Sequence, residues 1–134
     1  MYGYDRLHAF DETPLFVTEG VFNAILVNGI AIMSSDLNAA KIEVLKKTRR
    51  RLIFIRDRDA NGDKLSQQVL ENGWEVTTTD SRVGDVNDSI NRFGAAYTAY
   101  SLIKNAQKPE NKVSSSINIG LWGLEDRLKK LGGK

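Results

Sequence analysis

The chain has 134 residues, 41% hydrophobic and 27% charged, a length that suits one ordinary domain able to bury about two-thirds of the surface its unfolded form exposes. Without cysteine it has no disulfide framework and no cysteine zinc site, and a single histidine, His8, argues against nitrogen-ligated metal sites and His-based nucleophile pairs; metal chemistry is then expected to use oxygen ligands, which favours magnesium, manganese or calcium. No apolar run approaches the roughly 20 residues of a membrane span and the first residues lack a signal-peptide pattern, so a cytoplasmic protein without membrane contact is expected.

Leu15-Phe16-Val17-Thr18 is an apolar run after Pro14 that stops at Glu19-Gly20, which reads as a buried strand ending in a tight turn. A helix over about 20–28 follows, then a strand at Ile30-Ala31-Ile32-Met33. Ser34-Ser35-Asp36 supplies capping side chains for a helix from about Leu37 to Lys47. Leu52-Ile53-Phe54-Ile55 is the clearest strand, too continuously apolar to be half exposed, and it runs into Arg56-Asp57-Arg58-Asp59-Ala60-Asn61-Gly62. Residues 63–72 read as a helix closed by Gly73, residues 74–78 as a fourth strand, and helices are expected near 86–93 and 95–106. Tyr97 and Tyr100 are expected to pack on the sheet. Gln107 to Ser116 reads as a linker, which bounds the main domain at 1–106. Ile117, Leu121, Leu124, Leu128 and Leu131 then mark an amphipathic helix within 117–134, either docked on its own domain or offered to a partner.

Strands alternating with helices imply βαβ crossovers and an α/β fold of about four mainly parallel strands flanked by helices. In such a sheet the carboxyl ends of the strands share one edge, where sites are built. Glu19, the Asp57/Asp59 pair and the loop from Asp80 to Asp88 all follow strands in this reading, so three distant acidic segments should converge. Asp57-Arg58-Asp59 can direct two carboxylates at one cation, and magnesium keeps waters for substrate phosphates. Clustered carboxylates also need a cation to stay ionised together. Each acid taken singly has the plainer reading of a helix cap or a solvated turn residue. Gly20 and Gly62 read as turn residues requiring unusual φ.

The net charge of +2 hides an asymmetry. Residues 1–40 hold five acids against Arg6, whereas residues 41–58 hold eight bases against two acids. That basic block is either a solvated helix end or a nucleic-acid patch. Arg49, Arg50 and Arg51 immediately precede the third strand and so sit at the opposite end from Asp57. Arg56 and Arg58 either hold phosphates beside a metal or balance the carboxylates, and Lys64 is a further candidate for phosphate.

Three segments in order resemble the motifs of TOPRIM domains. Thr18-Glu19-Gly20-Val21-Phe22-Asn23-Ala24 resembles the first, a strand followed by Glu-Gly. Ile55 to Gly62 resembles the second, an Asp-x-Asp followed by Gly. Gly84-Asp85-Val86-Asn87-Asp88 is similar to the third segment of DNA primases, just before a helix. The resemblance covers about residues 14–94 and implies a Rossmann-like TOPRIM fold. It implies that Glu19 is a general acid or base or organises the metal, that Asp57, Asp59 and Asp85 bind Mg2+ or Mn2+, and that Asp88 is a further ligand candidate. Asn23 stands where such domains commonly carry Asp; its amide can ligate magnesium but brings no charge.

By the same resemblance the expected activity is that of a primase, phage-type above all: a nucleotidyltransferase making RNA primers from nucleoside triphosphates on single-stranded DNA during DNA replication. A helicase or a separate template-binding primase subunit would be its partner. A metal-dependent nuclease or small ribonuclease is the second reading, and a nucleic-acid or replisome binding module the third.

Overall fold

The computed structural model describes residues 1–8, 12–60 and 62–108, without the Asp59 side chain; the expected helix within 117–134 lies outside the described residues. Among the described residues four strands, β1 (Leu15–Thr18), β2 (Ile30–Ala31), β3 (Leu52–Ile55) and β4 (Glu75–Thr77), form one sheet in the order β2-β1-β3-β4, and they pair with one another in parallel. Five helices among the described residues connect and cover them: α1 (Val21–Leu26), α2 (Ala39–Leu45), α3 (Lys64–Glu71), α4 (Val86–Phe93) and α5 (Ala95–Lys104). Short 3₁₀ turns at Tyr4–His8 and Arg58–Ala60 were not expected from periodicity.

The pleat divides each strand between two cores. Leu15, Val17, Leu52, Phe54 and Val76 meet Ile42, Val44 and Leu45 of α2 and Leu65, Val69 and Leu70 of α3 on one face. Phe16, Ile53 and Ile55 meet Leu26 of α1, Val86 and Ile90 of α4, and Ala99, Leu102 and Ile103 of α5 on the other. Burial on both faces is why β1 and β3 read as unbroken apolar runs. The two edges are closed by single antiparallel bridges, Tyr2 with Ala31 beside β2 and Gln107 with Val76 beside β4. These bridges occupy backbone groups that an open edge would offer to another chain. Gln107, the first residue of the expected linker, is therefore part of the sheet.

Helix ends follow local chemistry. Asn38, rather than Asp36, caps α2, its side chain accepting from the Lys41 amide at 2.9 Å, so the helix starts at Ala39. The Leu37 amide is taken instead by Gln68 Oε1 of α3 at 2.9 Å. The Asp63 and Asp85 side chains cap α3 and α4. α1 ends with Asn28 at φ 53° and with the Gly29 amide donating back to Ala24 O at 2.8 Å. Gly29 admits no side chain, since a Cβ there would lie 2.2 Å from the Phe16 carbonyl oxygen. Of the two glycines expected in unusual φ, Gly62 has φ +85°. Gly20 corrects that expectation: at φ −107° it is extended backbone open to any residue, and it is the N-cap of α1.

Candidate functional site at the carboxyl edge of the sheet

The chain leaves β1 for β2 on one side and, after crossing back, continues from β3 to β4 on the other. The strand order therefore reverses between β1 and β3, and the crevice outside their carboxyl ends is the place where open α/β sheets bind ligands. Glu19 follows β1 and Arg56-Asp57 follows β3, on either side of that crevice. Thr18 Oγ1 donates to the Gly20 carbonyl at 2.7 Å and fixes the turn that carries Glu19. The Arg56 amide donates to Thr77 O at 2.8 Å, so the β3–β4 ladder extends to the edge of the crevice.

Arg56 is the electrostatic centre. Its side chain is only 7% exposed, and its guanidinium pairs with Glu19 through Nη1 and with Asp63 through Nη2. Its Nε also donates to Ser66 Oγ at 3.4 Å. A buried guanidinium is tolerable only when its charge and donors are met in this way. Asp63 feels several neighbours. Desolvation pushes its carboxyl up, but hydrogen bonds from the Ser66 amide and hydroxyl and from Arg56 outweigh it, so the pKa falls below 3.8. Arg56, a phosphate candidate in the sequence, thus engages two carboxylates, the balancing role that was its alternative.

A second group lies beside the first. Asp57, Arg58, Gly84 and Asp85 line an open hollow of about 510 Å³. Arg58 Nη1 donates to the carbonyls of Asp80 at 2.8 Å and Val83 at 2.9 Å, which fastens the loop after β4 against the turn after β3. Val83 is buried and anchors that loop. Asp85 Oδ1 accepts from the Asp88 amide at 2.8 Å while Asp88 Oδ2 accepts from the Gly84 amide at 3.1 Å, a reciprocal cap on α4. Asp85 is therefore a helix cap and a wall of the hollow at once. The exposed Asp57 carboxylate has no hydrogen-bond or ion-pair partner among the described residues.

The other candidates are placed apart from the hollow. Asn23 is half-buried in the first turn of α1, and Lys64 pairs with Asp36 at 3.3 Å on the surface. Arg50 and Arg51 belong to the opposite edge: Arg50 donates to the carbonyls of Arg6 and Thr13, and Arg51 clasps Glu75 with two bonds of 2.7 Å, which raises the arginine's pKa. Tyr97 and Tyr100, expected against the sheet, are 36% and 58% exposed. Asp63 was missed as a site residue because its sequence signal is that of a helix start, which it also is.

Among the described residues no three His, Asp or Glu side chains gather as a ready ligand set. The hollow nonetheless suits a hard cation. Asp57 and Asp85 offer carboxylate oxygens, and the open volume leaves room for water and phosphate, the manner in which magnesium is usually held. No helix among the described residues is long and apolar enough to cross a membrane. Searches against family models, curated proteins and solved structures find no match to this chain.

Proposed function

We propose that this chain carries out magnesium-dependent phosphodiester chemistry on nucleic acid, as the TOPRIM-like part of a DNA primase that joins nucleoside triphosphates on single-stranded DNA. One observation carries the reading: Glu19 and Asp57 flank the reversal point of a parallel sheet, and Asp57 shares a hollow with Asp85. These are the leading residues of the three segments that resemble TOPRIM motifs, and the fold brings all three to one edge.

Asp57 and Asp85 would hold the ion in this reading, with Mg2+ supplying charge neutralisation for the transferring phosphate. Arg58 lines the same hollow and offers a cation toward phosphate oxygens. Arg56 orients the Glu19 carboxylate, which takes the proton of the attacking hydroxyl as that oxygen bonds the α-phosphorus and pyrophosphate leaves. Asp88 acts on the site by holding Gly84.

The test is incorporation of labelled nucleotides on single-stranded DNA by the full chain, run beside a cleavage assay, each with and without Mg2+ or Mn2+. The reading expects metal-dependent incorporation that falls at least about 100-fold in Asp57→Asn, the size of loss typical of removing a transition-state charge contact. Cleavage with the same dependence would make the protein a nuclease on the same site. Metal-independent activity, or activity untouched by Asp57→Asn, would overturn the proposal.

A further inference from the structure

The Asp57–Asp85 hollow opens beside a surface for which the proposed chemistry has no use. Arg82 lies in the same loop as Gly84 and Asp85, and its guanidinium sits 4.8 Å from the centre of the Phe93 ring. Arg92 lies over the same ring at 5.6 Å. Phe93 and Tyr97 have their centroids 5.1 Å apart, Tyr97 and Tyr100 are 6.4 Å apart, and Lys104 Nζ sits 5.7 Å from the Tyr100 centroid. Three rings therefore run in series from the rim of the hollow along the outer side of α5, with two arginines at the hollow end and Lys104 at the other.

These rings do not build the core. Tyr100 is 58% exposed, and the Arg82 and Arg92 side chains are more than half exposed. Arg92 is tied to the hollow-lining loop by donating to Arg82 O at 2.9 Å. The acids nearby are Asp80, which Arg82 pairs with at 2.6 Å and so holds well below the usual carboxylate range, and Asp88, 3.9 Å from Arg92. Along the strip three cations face these two acids, and Asp57 and Asp85 stand with Arg58 at its hollow end. Arg82 keeps Asp80 through two bonds, Nε to Oδ1 at 3.0 Å and Nη2 to Oδ2 at 2.6 Å, whereas the longer, exposed Arg92–Asp88 pair exchanges partners readily.

We infer that the strip formed by Arg82, Arg92, Phe93, Tyr97, Tyr100 and Lys104 is a track for single-stranded nucleic acid leading to the hollow. Exposed rings combined with cations are the arrangement by which proteins hold single strands: bases stack on the rings without regard to sequence, and phosphates meet the cations. From Tyr97 to Lys104 the track runs about 10 Å along the helix, room for about three stacked bases at about 3.4 Å each. A duplex keeps its bases stacked on one another and has no face to offer the tyrosines. The inference takes its ligand class from the proposed function, and it supplies the template contact that the acidic segments lack.

The experiment measures binding of a fluorescein-labelled oligo-dT of about 15 nucleotides to the full chain by anisotropy, in EDTA, with a hairpin duplex for comparison. The single strand is expected to bind more tightly than the duplex and to weaken as salt rises. Tyr97→Ala/Tyr100→Ala, with folding checked by circular dichroism, is expected to weaken binding at least about tenfold, and Tyr97→Phe/Tyr100→Phe to stay within about twofold. Asp57→Asn should bind at least as tightly as the wild type, since in EDTA it only removes a negative charge at the end of the track, which separates the track from the chemistry. Wild-type affinity in the double alanine variant, equal affinity for duplex, or no binding by the wild type would overturn the inference. If incorporation or cleavage still depends on Asp57, the proposed function survives that failure.

Discussion

Replacing Arg56 with methionine removes the charge at the centre of the crevice while keeping most of the buried stem, so it isolates the electrostatic role. Deleting one partner of a buried ion pair costs about 3–5 kcal/mol. Here the carboxylates of Glu19 and Asp63 are 41% and 37% exposed, so water takes up part of the charge they are left with. The expected loss is about 2 kcal/mol. With an unfolding entropy of about 0.28 kcal/mol/K for a chain of this length, that becomes a fall in Tm of about 7 °C, readable by circular dichroism. The partner is identified by a cycle: Glu19→Gln, Arg56→Met and the double variant should show a coupling of about 1 kcal/mol. A Tm within about 1 °C of wild type, or strictly additive changes, would refute the idea that Arg56 organises this edge.

Asp63 gives a pH signature with a definite sign. Its folded pKa lies below 3.8, so its contribution is full above the ordinary carboxylate value and is lost as pH falls through the lower folded one. The urea midpoint of wild type should exceed that of Asp63→Asn at pH 7, and the gap should shrink toward pH 3. Asp85 separates capping from charge. Asp85→Asn should keep the stability of α4, since asparagine caps equally well, whereas Asp85→Ala should lose about 1 kcal/mol by thermal melting. Both variants should lose activity alike, because each removes the carboxylate facing the hollow.

The sheet was legible where one local rule dominated. β1 and β3 lie at the residues expected, because strands buried on both faces must be apolar throughout. Gly73 ends α3 as expected, with φ +87°. β2 stops at Ala31, two residues early, because Met33 turns to φ 63° and gives its amide to Glu19 O at 2.8 Å. That bond belongs to the crevice and has no trace in the hydrophobic pattern. The acids at strand ends could be read from sequence, but their division into two groups could not. Arg56 selects Glu19, 37 residues earlier, and Asp63, seven residues later, and only the folded edge sets that choice. Tyr97 and Tyr100 were placed inward by their apolar rings; Thr98, Ser101 and Leu102 take the buried side of α5 instead, and the rings turn outward. Asp85 shows why a cap and a ligand are hard to tell apart in sequence: both need a short acid just before a helix.

The most direct test of the account is to locate a divalent ion. Substoichiometric Mn2+ added to isotope-labelled protein broadens amide resonances near the bound metal. The account predicts loss of the Asp57, Arg58, Gly84 and Asp85 signals first, and their recovery in Asp57→Asn at the same Mn2+ concentration. Broadening centred elsewhere, or undiminished at these four residues in Asp57→Asn, would contradict it.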